Sequence, residues 1–74
     1  MKAQLLDARG LRCPMVAVRT KLALAALPPG AALIVLATDP EAPIDLAALA
    51  ADAGMSFHAA PEDGGWRMVL RPEQ

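Results

Sequence analysis

Residues that advertise chemistry are scarce in this chain. Among 74 residues there is one cysteine, Cys13, one histidine, His58, and no tyrosine. A lone cysteine excludes an intrachain disulfide and a cysteine-based zinc site, and a single histidine adds at most one soft ligand, so neither a metal nor another cofactor is expected. Phe57 and Trp66 are the only aromatics, too few for a base-stacking platform. Acid is missing from a whole third of the chain. None falls between Ala8 and Thr38, where Arg9, Arg12, Arg19 and Lys21 lie, and seven of the eight acids stand at or beyond Asp39. The formal net charge is −1, which weighs against direct nucleic-acid binding, since that needs a basic footprint. No apolar stretch reaches membrane-spanning length without a proline or a charge, and Met1-Lys2 leads into a strand-like run without an apolar signal segment. The expectation is one domain over residues 1–74, cytoplasmic, in a reducing compartment where a free thiol persists and without a membrane partner.

What is present is punctuated by proline and glycine. Residues 4–8 read as a short strand and residues 9–12 as a loop that Gly10 relaxes. A helix is expected over 14–27, ending at Pro28-Pro29-Gly30 because a residue before proline is pushed out of the α region. That helix is apolar or small nearly all round. Ala17, Val18, Leu24 and Leu27 are expected inward and Arg19, Ala23 and Ala26 outward, leaving Lys21 to snorkel. Residues 31–38, AALIVLAT, lack polar alternation and suit a central strand. Residues 39–42 form a loop into a second helix that starts at Pro43, carries the stripe Leu46, Leu49, Ala50 and Ala53, and stops at Gly54. Residues 55–60 and 66–71 form strands joined by the turn Asp63-Gly64-Gly65, with Trp66, Met68 and Leu70 on one face. The order is βαβαββ. It predicts an α+β two-layer sandwich, a four-stranded mixed sheet with both helices on one face.

Pro14 fits the first position of a helix, which places Cys13 at the N-cap with its sulfur before free N–H groups and the positive end of the dipole. Such groups favour thiolate over thiol, and Arg9 and Arg12 push the same way. The bland alternative is a small buried hydrophobe. Arg9 and Arg12 read alternatively as solvated loop charges, and Met15 either as partner surface or as packing under the loop. Asp7 suits N–H groups of its own loop, His58 a structural strand position, and Trp66 the core or its margin.

The run Leu6-Asp7-Ala8-Arg9-Gly10-Leu11-Arg12-Cys13-Pro14, with Leu27-Pro28-Pro29-Gly30, Asp39-Pro40, Asp45-Leu46 and Gly54, resembles the TusA/SirA family of small sulfur carriers. The resemblance implies the same βαβαββ sandwich. It also implies that Cys13 accepts a persulfide sulfur from a donor protein, a cysteine desulfurase or a rhodanese-like protein, and relays it to an acceptor in tRNA thiolation, molybdenum-cofactor assembly or sulfur oxidation. Such a protein is a sulfurtransferase relay rather than a full turnover enzyme, and a monomer is expected because the thiol must stay free to dock. Arg9, Gly10, Arg12, Pro14, Met15, Val16 and Arg19 are the expected partner-binding or thiolate-tuning residues. The family reads Cys-Pro-x-Pro where this chain has Cys13-Pro14-Met15-Val16. Val16 would add an N–H that a proline lacks, stabilise the Cys13 thiolate and tilt the protein toward giving up sulfur. The alternatives are a thiol redox sensor, which would need an external resolving thiol, and a regulatory interaction module.

Overall fold

In the computed structural model, which describes residues 2–72, the elements run β1 (Ala3–Asp7), α1 (Met15–Ala26), β2 (Ala32–Ala37), α2 (Ala42–Asp52), β3 (Met55–Glu62) and β4 (Gly65–Pro72). The sheet order is β1-β2-β4-β3. β1 pairs with β2 in parallel, and β4 inserts antiparallel between β2 and β3. The helices pack on each other and on one face of the sheet, giving the expected two-layer α+β sandwich.

The register explains which side chains make the core. Leu6, Val35, Met68 and Ala59 stand opposite one another across the four strands, and Leu33, Leu70 and Phe57 form the next row. Leu33, Val35, Met68 and Leu70 are sealed, and they meet Val16 from α1 and Ala42, Leu46 and Ala50 from α2. The unbroken apolar run of β2 is thus a central strand. The close of the hairpin is tighter than expected, with Asp63 and Gly64 both at positive φ as a two-residue turn and Gly65 already in β4. Gly65 is needed there, because a Cβ would run into the Ala37 carbonyl at the end of β2.

Helix α1 differs from expectation in its inward face. Val16 and Thr20 are buried, Ala23, Leu24 and Leu27 half-buried, and Val18 and Lys21 lie outside. Lys21 is exposed and borders a hollow that it shares with Leu24, Leu49 and Ala53. Ala23 therefore changes places with Val18. With almost no polar gradient around the helix, sequence periodicity has nothing with which to choose a face. Helix α2 begins at Ala42, one residue before Pro43, and its stripe packs through Leu46 and Ala50, with Leu49 half-buried, whereas Ala53 is the exposed C-cap just past the helix end.

Thr20 is fully buried, and its Oγ1 finds no hydrogen-bond partner among the described residues. A buried unpaired hydroxyl costs about 1–3 kcal/mol. Thr20→Val keeps the shape and removes the orphan. We expect it to raise stability by about 1 kcal/mol, seen in a thermal melt as a gain of roughly 4–8 °C.

Candidate functional site

Cys13 is exposed and lies in the β1–α1 loop, beside the ends of β1 and β2 and the start of α2. The loop is tied to the end of β2 bond by bond. The Ala8 N–H donates to the Leu36 carbonyl at 2.8 Å, continuing the β1–β2 ladder one residue beyond β1. The Gly10 N–H then donates to Thr38 Oγ1 at 3.1 Å, and the Cys13 N–H donates to Asp39 Oδ2 at 2.6 Å. Asp39 uses its other oxygen as well, accepting the Glu41 N–H on Oδ1 at 3.0 Å, while its carbonyl accepts the Ala42 N–H at 3.0 Å. Gly10 adopts φ 84°, which other residues rarely tolerate, and this brings its N–H to Thr38. A shallow groove between the two loops is lined by Gly10, Leu11, Arg12, Thr38, Asp39 and Pro40.

The helix start is displaced from the expected place. Pro14, not Cys13, is the N-cap of α1, no side chain caps the helix, and the Cys13–Pro14 peptide bond is cis. The Met15 N–H donates to the Arg12 carbonyl at 2.7 Å. Cys13 thus stands one position before the cap, and the helix N–H groups do not hold its sulfur. Val16 is 2 % exposed and belongs to the core. Its side chain is committed to packing and offers a partner no surface, and with Pro14 as the N-cap no side chain caps α1, so the Val16 N–H is not seen holding the sulfur.

The charge around the thiol is also reversed. The Cys13 thiol is pushed above its ordinary range, first by partial loss of hydration on an otherwise exposed side chain. The carboxylates of Asp45, Asp39 and Glu41 act in the same direction. Both effects work against the expected thiolate. Asp45 occupies the first turn of α2, so it is the second helix, not the first, that supplies the electrostatics at the sulfur.

Arg9 does not serve the sulfur either. Its Nε and Nη2 donate to Asp7 at 2.8 Å each, and its N–H donates to Asp7 Oδ1 at 3.2 Å. These bonds hold the Asp7 carboxyl down at about 2, so Asp7 braces its own loop as its place in the sequence suggests. Arg12, Pro14, Met15 and Arg19 are exposed. Met15, Val18 and Leu22 run along the outer side of α1 with Arg19 among them, an apolar strip flanked by cations that begins two residues from Cys13. His58 is exposed on the edge strand β3, and Trp66 is half-buried against the core. Asp39, Asp45 and Thr38 were not singled out from sequence as groups that act on Cys13. An Asp-Pro pair closing a central strand was the available signal, since a residue before proline is held extended and a short carboxylate there readily takes nearby N–H groups.

A relative from Neisseria meningitidis is 39 % identical over 72 residues, 96 % of this chain and 97 % of its own length. The sulfur carrier protein TusA of Allochromatium vinosum is 42 % identical over 62 residues, 84 % of this chain and 82 % of its own. The crystal structure of a SirA-like protein from Desulfitobacterium hafniense superposes with a TM-score of 0.83 at 26 % identity, covering 95 % of this chain and 99 % of that one. Residues 4–71, from the first strand through Cys13 to the last strand, match the family described as Sulfurtransferase TusA, and the chain belongs to that family.

Proposed function

We propose that this protein carries sulfane sulfur on Cys13 as a persulfide, taking it from a donor protein and delivering it to an acceptor protein. The observation that carries the reading is the mounting of the chain's one thiol: exposed, yet fixed to the sheet through its own main-chain N–H. In the loading step Cys13 gives up its proton and its thiolate attacks the terminal sulfur of a donor persulfide. One S–S bond forms, the donor's S–S bond breaks, and the donor cysteine leaves as thiolate. Delivery repeats this with the acceptor as nucleophile and Cys13 as leaving group. The transferred sulfur keeps its oxidation state, so no outside oxidant or reductant is needed.

The raised thiol shapes that cycle. A less acidic thiol is a stronger nucleophile once ionised and a poorer leaving group. Less of the free carrier is thiolate ready to attack, but once loaded it is tilted toward holding sulfur, because Cys13 is the poorer leaving group. Delivery then calls for a partner that stabilises the departing Cys13 thiolate. The redox-sensor alternative is less well supported, because sensor thiols are low in pKa and this one is not. A reducing compartment such as the cytoplasm would keep Cys13 free between cycles. No helix among the described residues is long and apolar enough to cross a membrane.

The apolar strip Met15, Val18 and Leu22, with Arg12 and Arg19 beside it, is the surface best suited to receive donor and acceptor. The idea that the thiol's whole surroundings are free of acid is corrected by Asp39, Glu41 and Asp45, so the basic character belongs to α1 and not to the sulfur's immediate shell.

Two experiments test the reading. Incubation with a cysteine desulfurase and cysteine, followed by intact mass analysis, is expected to show one added sulfur atom that a thiol reductant removes. Cys13→Ser should take up none while keeping its melting curve, and a serine variant that still loads would overturn the assignment. Arg12→Glu and Arg19→Glu, both exposed, should change stability by no more than about 0.5 kcal/mol. They should raise the KM of the transfer step several-fold, and added salt should weaken wild-type transfer because exposed charges are screened within about 8–10 Å.

A further inference from the structure

We propose that Asp39 is a positioning residue for Cys13: its carboxylate ties the Cys13 main chain to the first turn of α2 and thereby holds the sulfur against the α2 carboxylates. This deepens the carrier reading, since it concerns the same thiol, but the geometry stands without it. Asp39 is half-buried at the end of β2, and Pro40 keeps its backbone out of the helix that follows. Both of its carboxylate oxygens are in use. One accepts the Cys13 N–H at 2.6 Å, the shorter of its two bonds, and the other accepts the Glu41 N–H at 3.0 Å. A neutral amide in its place could accept only one of these, because its nitrogen would face the other N–H. Among the hydrogen bonds of the described residues, those of the Asp39 carboxylate tie the Cys13 main chain to the N-cap of α2.

The consequence falls on the sulfur. Asp45 in the first turn of α2 and Glu41 at its N-cap both act on the Cys13 thiol, and Asp39 itself adds its charge. On its own loop Arg12 is exposed, and Arg9 is engaged with Asp7. The acidic shell therefore acts on the thiol only while the clamp keeps the loop in place. A partner that places a cation at the start of α2 would neutralise that shell and release the thiolate at the moment of docking, leaving the idle carrier protonated.

The test needs no sulfur donor. In wild-type protein, an acid titration followed by amide NMR should move the Cys13 and Glu41 N–H protons together, as one carboxyl loses its charge. A Cys13 amide that shifts no more than those of other exposed loop residues overturns the clamp. Next, thiolate absorbance and iodoacetamide alkylation are followed against pH in four proteins: wild type, Asp45→Asn, Asp39→Ala and the double variant. Asp45→Asn should lower the thiol's titration midpoint and speed alkylation at neutral pH. In the Asp39→Ala background the same change should do little, because the sulfur is no longer held beside position 45. The expected departure from multiplicative rates is roughly twofold or more, as for residues that share one network. Equal effects of Asp45→Asn in both backgrounds would overturn the proposal. If Asp39→Ala does not fold, Asp39→Asn takes its place in the cycle and the wild-type NMR titration stands unchanged. A wild-type protein that passes these tests but accepts no sulfur from a desulfurase would remove the carrier reading and leave the clamp intact.

Discussion

Parallel pairing between β1 and β2 is carried past the end of the strands, and the site exists because of it. Loop N–H groups need acceptors, and main-chain carbonyls run out as β2 turns toward α2. The Leu36 carbonyl serves Ala8, and then the side chains of Thr38 and Asp39 take over for Gly10 and Cys13. An exposed sulfur on a surface loop would ordinarily wander. Here its backbone is held to the central strand of the sheet, and that strand is held by sealed rows of Val35 with Met68 and of Leu33 with Leu70. Positional order passes from core to strand to loop to sulfur.

The elements were legible where composition changed sharply. The polar-free run of β2, the proline and glycine stops after α1 and α2, and the alternation of β4 each mark a backbone state by local rules. The buried face of α1 was not legible. Val18 and Ala23 are interchangeable to a periodicity argument, and only the packing of α1 against α2 and the sheet decides that Ala23 goes in. Pro14 misled by one position, because the same ring suits a cap or a first helical residue. That single step moved the sulfur out of reach of the N–H groups that were meant to hold it.

The thiol's environment was hidden for a different reason. The carboxylate that grips Cys13 lies 26 residues downstream, on a loop brought close only by the β1–β2 pairing. Local sequence around Cys13 shows arginines, and one of them, Arg9, is spent on Asp7. Motif similarity identified the family because the loop residues are contiguous in the chain. It carried no information on the sign of the field at the sulfur, which three dimensions set.

The partition of charge between α1 and the rest of the molecule has a consequence for how the protein meets others. A net charge of −1 gives little pull or push at long range. Yet Arg12, Arg19 and Lys21 lie on or beside α1, which has no acid, while Asp39, Glu41 and Asp45 gather at the start of α2. Such a body acts as a dipole more than as an ion. In the field of a charged surface it feels a torque before it feels an attraction, and it turns as it approaches. Cys13 lies close to the boundary between the two signs, so the turning that aligns the poles also brings the sulfur to a fixed bearing before contact.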